Sequence, residues 1–374
     1  MTAPPGRRIR VVMVEHPGDG GVPRHVADLA AALDPGEFEV VVACPPQSSA
    51  WRELQARPDI SLVAMPGDRD PAVAHPRTLS RLRQLIASAD VVHAHSTIAG
   101  SLVRGLARIQ GRTDRCVFTP HAWSFWSGGR ARARIFQVAE RRCAPWTGAI
   151  IAVSDAEMRA GLDAGIGHVG SYHVVPNGID LDRFAAPWAG EDGPVVHIGR
   201  LARQKRPDLL IEAFRRLHPA EPGCRLVLAG EGPLRGSIET TIRDAGLGTA
   251  ISVLGERDDV PAILAGARCL VLASDYEGCP ISAIEGLAAG TPVVATAVGG
   301  TPEVVTDGVT GLLVPPRDPD ALAAAIGALW RDPVLGRSLG GAGREHARER
   351  FSRDRMAQGT MQVYRGIVRS ATPR

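Results

Sequence analysis

Lysine and asparagine are almost missing from this chain: of 43 basic residues only Lys205 is a lysine, and Asn177 is a single asparagine among 374 residues. A coding bias against both residues accounts for the scarcity, but not for where the two survivors sit. Other absences exclude whole classes. The formal charge of +3 is too small to argue for a nucleic-acid partner. After Arg7, Arg8 and Arg10 the first apolar run ends at Glu15, too short for the central region of a signal peptide. The longest uncharged stretch, 286–302, is broken by Gly, Thr and Pro and falls short of the roughly 20 apolar residues of a membrane span. Cys44, Cys116, Cys143, Cys224, Cys269 and Cys279 form no C-x-x-C pair, which disfavours a zinc or disulfide framework and suits a reducing compartment. A soluble, cytoplasmic protein is expected. Apolar residues make up 44% and charged residues 22%, so sizeable cores can form, and at roughly 150 residues per domain the length corresponds to about 2.5 domains.

Short β-rich runs at 9–14, 39–43, 90–93, 116–119 and 149–153 each precede a polar turn and an amphipathic or Ala-rich stretch such as 22–33. That alternation predicts βα units around a buried parallel sheet, with ligands outside the carboxyl ends of the strands. Asn177-Gly178 predicts a turn, because such pairs favour positive φ. The Gly-, Pro- and acid-rich segment 187–194 reads as a linker, and a second series follows at 195–198, 225–229, 251–254, 269–272 and 293–295. The closing stretch 319–369 is helical in pattern, and its last part, 352–368, could pack back across the first domain.

Four segments could carry chemistry. Tyr276 to Glu285 follows the run 269–272, and Pro280 suits the first turn of a helix. A strand, a Gly-containing loop and a helix N-terminus present free N–H groups and a positive dipole end, which bind phosphate. Glu277 and Glu285 would accept hydrogen bonds from sugar hydroxyls; the plain alternative is a helix start with two solvated glutamates. His197-Ile198-Gly199-Arg200 leads to Lys205, so two cations flank a loop at a strand end and could hold a diphosphate. Gly18-Asp19-Gly20-Gly21-Val22-Pro23 lacks the third glycine of a nicotinamide fingerprint, and no P-loop occurs anywhere, yet Gly20 and Gly21 would let backbone approach a ligand. Finally, His93, His95 and His121 would gather at adjacent strand ends. Three imidazoles can hold zinc, but no water-activating carboxylate accompanies them at motif spacing, and hydrogen-bonded histidines are the simpler expectation.

Several matches are discounted. Asp68-Arg69-Asp70, Asp180-Leu181-Asp182 and Asp318-Pro319-Asp320 fit the D-x-D of metal-dependent sugar transferases, but none follows a convincing buried strand. Gly336-Arg337-Ser338-Leu339-Gly340 fits G-x-S-x-G but lies in a helical pattern without the required elbow.

Taken in order, VPNGIDLDRF at 175–184, HIGRLARQKRPDLLIEAF at 197–214, LVLAGEGPLR at 226–235, the pair Glu277 and Glu285, and GTPVVATAVGGTPEVVTDGVTGLLVPP resemble the retaining GT-B glycosyltransferases of family 4, the glycogen-synthase-like and mannosyltransferase-like class. The resemblance implies an α/β GT-B fold of two Rossmann-like domains with parallel sheets facing a central cleft. Residues 1–186 would form the acceptor-side domain, 187–350 the nucleotide-sugar-binding domain, and 351–374 a helix returning to the first domain. It further implies that Arg200 and Lys205 contact the diphosphate and Glu285 the ribose. Glu277 with the backbone of Gly278, Cys279 and Ile281 would hold the donor sugar. Gly20 and Gly21 would approach the diphosphate, and His121 would sit beside the transferred sugar. No metal or cofactor is implied; the Arg–Lys pair does the work a metal does elsewhere.

The expected activity is therefore retaining, metal-independent transfer of a hexose from a UDP-linked donor to a hydroxyl acceptor, a small molecule or a lipid-linked saccharide. A nucleotide-sugar epimerase of the same architecture, of the UDP-N-acetylglucosamine 2-epimerase type, is the main alternative, and a non-enzymatic two-lobed sugar-binding protein the second. Trp123, Trp126, Arg130 and Arg134 form an aromatic and basic patch that could touch the inner face of an anionic membrane, or equally a core cluster beside a solvated helix.

Overall fold

The structure, a computed structural model, describes residues 7–16, 18, 20–67 and 75–371. The chain forms two compact units: residues through Gly178 together with those from Arg353 onward, and Ile179–Ser352.

In the first unit, β1 (Ile9–Glu15), β2 (Phe38–Cys44), β3 (Ile60–Ala64), β4 (Val91–His95), β5 (Cys116–Thr119), β6 (Ala149–Ala152) and β7 (Tyr172–Val174) make one sheet in the order β3-β2-β1-β4-β5-β6-β7. Every pairing is parallel. The second unit repeats the plan with β8 (Val195–Ile198), β9 (Leu226–Ala229), β10 (Ile251–Gly255), β11 (Cys269–Leu272), β12 (Val293–Thr296) and β13 (Leu312–Val314), in the parallel order β10-β9-β8-β11-β12-β13. The central strands are almost wholly buried because helices cover both faces, so they read as largely apolar runs, interrupted only by buried histidines, rather than as alternating ones. The strands that sequence reasoning missed, β3, β7 and β13, all lie at sheet edges. They are only partly buried and run to just three to five residues.

The last helix, Arg353–Ala371, belongs to the first unit. Its buried residues Met356, Ala357, Thr360, Val363, Tyr364 and Ile367 recur at helical spacing and form one stripe. Tyr364 is fully buried against Phe38, ring centroids 6.2 Å apart.

Two expectations about the connection need correction. Neither Asn177 nor Gly178 takes a positive φ, and no turn forms there. The segment leaves β7 without a reversal, and Ile179 then bridges to Ser352, so the two ends of the second unit lie side by side. The segment 187–194 is not a free linker either. Trp188 Nε1 donates to the Ala267 carbonyl at 2.7 Å, Ala189 N–H donates to the Ala265 carbonyl at 2.8 Å, and both partners belong to the second unit. The chain changes unit at Gly178, ahead of that segment.

Candidate functional site

Strand order reverses at β1/β4 in one sheet and at β8/β11 in the other, and open α/β sheets bind ligands beyond the carboxyl ends at such a reversal. The sequence-predicted residues lie on β4 itself and on the segments that leave β1, β5, β8 and β11.

In the second unit, the loop after β8 and the loop after β11 are fastened together. Asp275 N–H donates to the Gln204 carbonyl at 2.8 Å, and Gln204 Nε2 donates to the Tyr276 carbonyl at 3.0 Å. This brings Lys205 to Glu277: Nζ donates to Oε1 at 2.6 Å, and Ser274 Oγ donates to the same oxygen at 2.6 Å. Glu277 is only 5% exposed, so the reading of two solvated glutamates fails for it. Gly299, at φ +50°, backs the loop; a Cβ there would stand 2.0 Å from the Glu277 carbonyl oxygen. Gly278 and Cys279 are buried, and Pro280 occupies the N-cap, so the helix Ile281–Ala289 begins just after Pro280 rather than with it. Glu285 is partly buried on that helix, and Arg200 is partly buried in the loop after Gly199. Beneath them His197 donates through Nδ1 to the Val271 carbonyl at 3.0 Å; burial lowers it to about 4, against the opposing effect of that bond, so it is neutral at pH 7.

The first unit gathers imidazoles instead. Gly20 holds a glycine-only conformation at φ 82° and ψ −151°, and the helix Gly21–Ala32 that follows carries the buried His25. His95 ends β4, and His121 follows β5. His95 Nδ1 and His121 Nε2 are 3.0 Å apart, and the His25 ring lies edge-on to His121 at 4.5 Å. The expected trio gathers, with the His93 and His95 ring centroids 4.0 Å apart, but the set of nitrogens close enough to share an ion differs in one member. His93 is engaged at both nitrogens, with Tyr364 OH at 2.7 Å and Thr119 Oγ1 at 2.8 Å, and His25 takes its place beside His95 and His121. Burial holds His25 at about 4 and pushes His93 and His95 well below the usual histidine range; burial and neighbouring imidazoles do the same to His121. The one asparagine enters here, since the Asn177 side chain hydrogen-bonds His25.

His121 and Ala122 both adopt left-handed backbone, at φ 54° and 79°, a conformation that non-glycine residues enter at a cost. Glu157, fully buried, holds that turn: its carboxylate accepts Ala122 N–H at 2.5 Å and Val153 N–H at 2.8 Å. Sequence reasoning missed Glu157, although Ser154-x-x-Glu157 has capping-box spacing and Ser154 Oγ does cap the helix by accepting Glu157 N–H at 3.1 Å. His25 and Tyr364 were also missed, and neither carries a local signal.

Trp123 is 1% exposed, stacked on Phe125 with Nε1 donating to the Glu157 carbonyl, so it belongs to the core and not to a membrane-facing patch. Arg130 and Arg134 do remain exposed on the helix Arg130–Cys143, beside Ile135. Two D-x-D matches serve as caps: Asp180 accepts Asp182 N–H and Asp318 accepts Ala321 N–H. Asp68 to Asp70, like Asp19, lies outside the described residues. The G-x-S-x-G match is helical, and Gly340 serves close packing, since a Cβ there would stand 2.1 Å from the Gly290 carbonyl. A groove of about 500 Å³ beside Arg203, Arg206, Asp208, Asp275 and Arg317 includes none of the predicted residues, and Asp275 pairs with two of its arginines. No described helix is long and apolar enough to cross a membrane.

Two families match consecutive halves of the chain: Glycosyltransferase Family 4 over residues 19–183 and Glycosyl transferases group 1 over residues 179–346. The chain is 30% identical to the glycogen synthase of Mycobacterium tuberculosis over 364 residues, covering 93% of this chain and 82% of that enzyme. The chain belongs to the group 1 glycosyltransferases. It is also 27% identical to the GDP-mannose-dependent alpha-(1-6)-phosphatidylinositol monomannoside mannosyltransferase of M. tuberculosis, over 96% of this chain and 98% of the relative. Among solved structures, Anabaena HepE in complex with UDP and glucose matches with a TM-score of 0.82 at 20% identity, covering 95% of this chain and 99% of HepE. The two Rossmann-like units are those of the GT-B fold. This group 1 glycosyltransferase is an enzyme of nucleotide-sugar chemistry, and neither the epimerase nor the non-enzymatic alternative is favoured.

Proposed function

We propose that this glycosyltransferase moves a hexose from a UDP-sugar to a hydroxyl acceptor, with retention of anomeric configuration and without a catalytic metal. The observation that carries the reading is the Lys205–Glu277 pair. An ammonium has three N–H donors, and with one held by Glu277 at 2.6 Å the other two can meet oxygens of the leaving diphosphate. A cation fixed in place before the reaction stabilises charge as it develops, which is the task a divalent metal performs elsewhere. Arg200 adds a second cation, and the N-terminus of the helix Ile281–Ala289 adds its dipole through the backbone of Gly278, Cys279 and Ile281. Glu285 accepts from the ribose, and the second oxygen of Glu277 from a donor-sugar hydroxyl. Gly20 and Gly21 offer backbone N–H groups to the diphosphate, and His121 faces the transferred sugar as a neutral imidazole.

On a front-face path the acceptor oxygen bonds to the anomeric carbon as the bond to the diphosphate oxygen breaks, and the acceptor proton passes to that departing oxygen. HepE with bound UDP favours the uridine nucleotide; the GDP-mannose-dependent relative is the competing precedent. A thermal-shift screen of UDP-, GDP- and ADP-sugars, followed by turnover in excess EDTA, tests this. A UDP-sugar should give the largest rise in Tm, and transfer should require an acceptor and persist in chelator. Preference for another base would overturn the UDP assignment, and activity restored only by Mg²⁺ or Mn²⁺ would overturn metal independence.

A further inference from the structure

The imidazole cluster of the first unit has a property that sugar transfer does not use. One ring nitrogen each from His25, His95 and His121 lies within 4.8 Å of the other two. They come from three different elements: His25 from the helix Gly21–Ala32, His95 from the end of β4, and His121 from the loop after β5. His25 Nδ1 and His95 Nε2 are buried without a hydrogen-bond partner, so the cluster is not a closed network in which every nitrogen is satisfied. Tetrahedral zinc with nitrogens at about 2.0–2.1 Å separates its ligand atoms by about 3.4 Å, so the three nitrogens need draw in by no more than about 1.4 Å. His121 is partly exposed and gives an ion a way in. Glu15, fully buried, stands opposite His95 in the β1–β4 register.

We infer that His25, His95 and His121 form a tripod for a zinc-type divalent cation, and that occupying it stops sugar transfer by taking His121 away from the donor sugar. The inhibitory half rests on the role given to His121 above; the metal site does not. Binding gives up the hydrogen bond between His95 and His121 and leaves one coordination position open. Three nitrogen donors select zinc, cobalt or nickel over magnesium, which prefers oxygen ligands. The tripod is thus an off-switch and is distinct from any metal requirement of the reaction.

The test uses the full chain, with Co²⁺ as a coloured probe and Zn²⁺ as the inhibitor. One Co²⁺ per chain should give visible absorption of a tetrahedral or five-coordinate site, displaced by Zn²⁺. His25→Gln should weaken that binding at least tenfold. Zn²⁺ should halt transfer and EDTA restore it, while Mg²⁺ has no effect. X-ray absorption on the unaltered Zn²⁺-loaded protein gives a second answer that needs no folded variant: nitrogen ligands at about 2.0 Å support the tripod, whereas sulfur at about 2.3 Å places the ion on cysteine and overturns it. Absence of Co²⁺ binding, or binding unchanged by His25→Gln, overturns the site. Binding without loss of transfer overturns the switch. If the protein transfers no sugar at all, the functional reading fails, and the Co²⁺ and absorption spectra still decide the site.

Discussion

At the strands where its sheet reverses, the second unit places a charged pair, Lys205 on Glu277, while the first unit places four imidazoles kept neutral by burial. The same topology therefore supports opposite electrostatics. A diphosphate leaving group needs a positive charge already in position, and the buried carboxylate and its loop fix the ammonium in place. A sugar ring carries little charge until the bond breaks, and a neutral imidazole can face it without attracting an anion. The two rare residues divide the same way: the lone lysine completes the charged pair, and the lone asparagine hydrogen-bonds His25 in the neutral cluster. Arginine is a poor substitute for the first because its planar fork does not reproduce a compact ammonium.

Acid should break this contrast most strongly. A histidine that is neutral in the folded state with a pKa near 4, against 6.5 in the unfolded chain, has no effect on stability above pH 6.5. As the pH falls from 6.5 towards 4, the unfolded chain takes up the proton and the folded chain does not. For His25 that difference amounts to about 3 kcal/mol by pH 4, and His93, His95 and His121 act in the same direction. In the second unit His197 contributes a similar loss, with a lesser one from the partly buried His346. Hydrogen exchange across pH 7.5 to 4.5 should show the first unit opening at higher pH than the second; simultaneous opening would contradict the contrast.

A smaller effect is expected on catalysis. Lys205→Ala should lower kcat/KM by about 3 kcal/mol, more than a hundredfold, and should lower Tm as well because it leaves the buried Glu277 carboxylate without its partner. Lys205→Arg should recover only part of it, and full recovery would show that any cation suffices.

Much of this arrangement was legible in the sequence, for identifiable reasons. The central strands announce themselves because burial on both faces demands runs such as Val91–His95, whereas β3, β7 and β13 lie at edges where that demand is relaxed. Lys205 and Glu277 could be picked out because each follows a clear strand beside glycine. Their pairing could not, since it joins positions 72 apart through loops whose fastening depends on Gln204 and on backbone groups. His25 sits within an otherwise ordinary Ala-rich helix, and Tyr364 reaches His93 from 271 residues away, so their neighbourhoods are purely tertiary. Asn177-Gly178 misled because local turn preference yielded to an extended path set by β7 on one side and the Ile179–Ser352 bridge on the other.

The central claim is that Glu277 acts on the leaving group through Lys205, and a double-mutant cycle in metal-free buffer tests it most directly. Transfer kinetics would be measured for Lys205→Ala, Glu277→Gln and the pair together. Because the side chains touch, the combined loss in kcat/KM should fall short of the sum of the single losses by at least about 1 kcal/mol. Losses that add to within about 0.5 kcal/mol would mean that the two residues work independently, and would contradict the account.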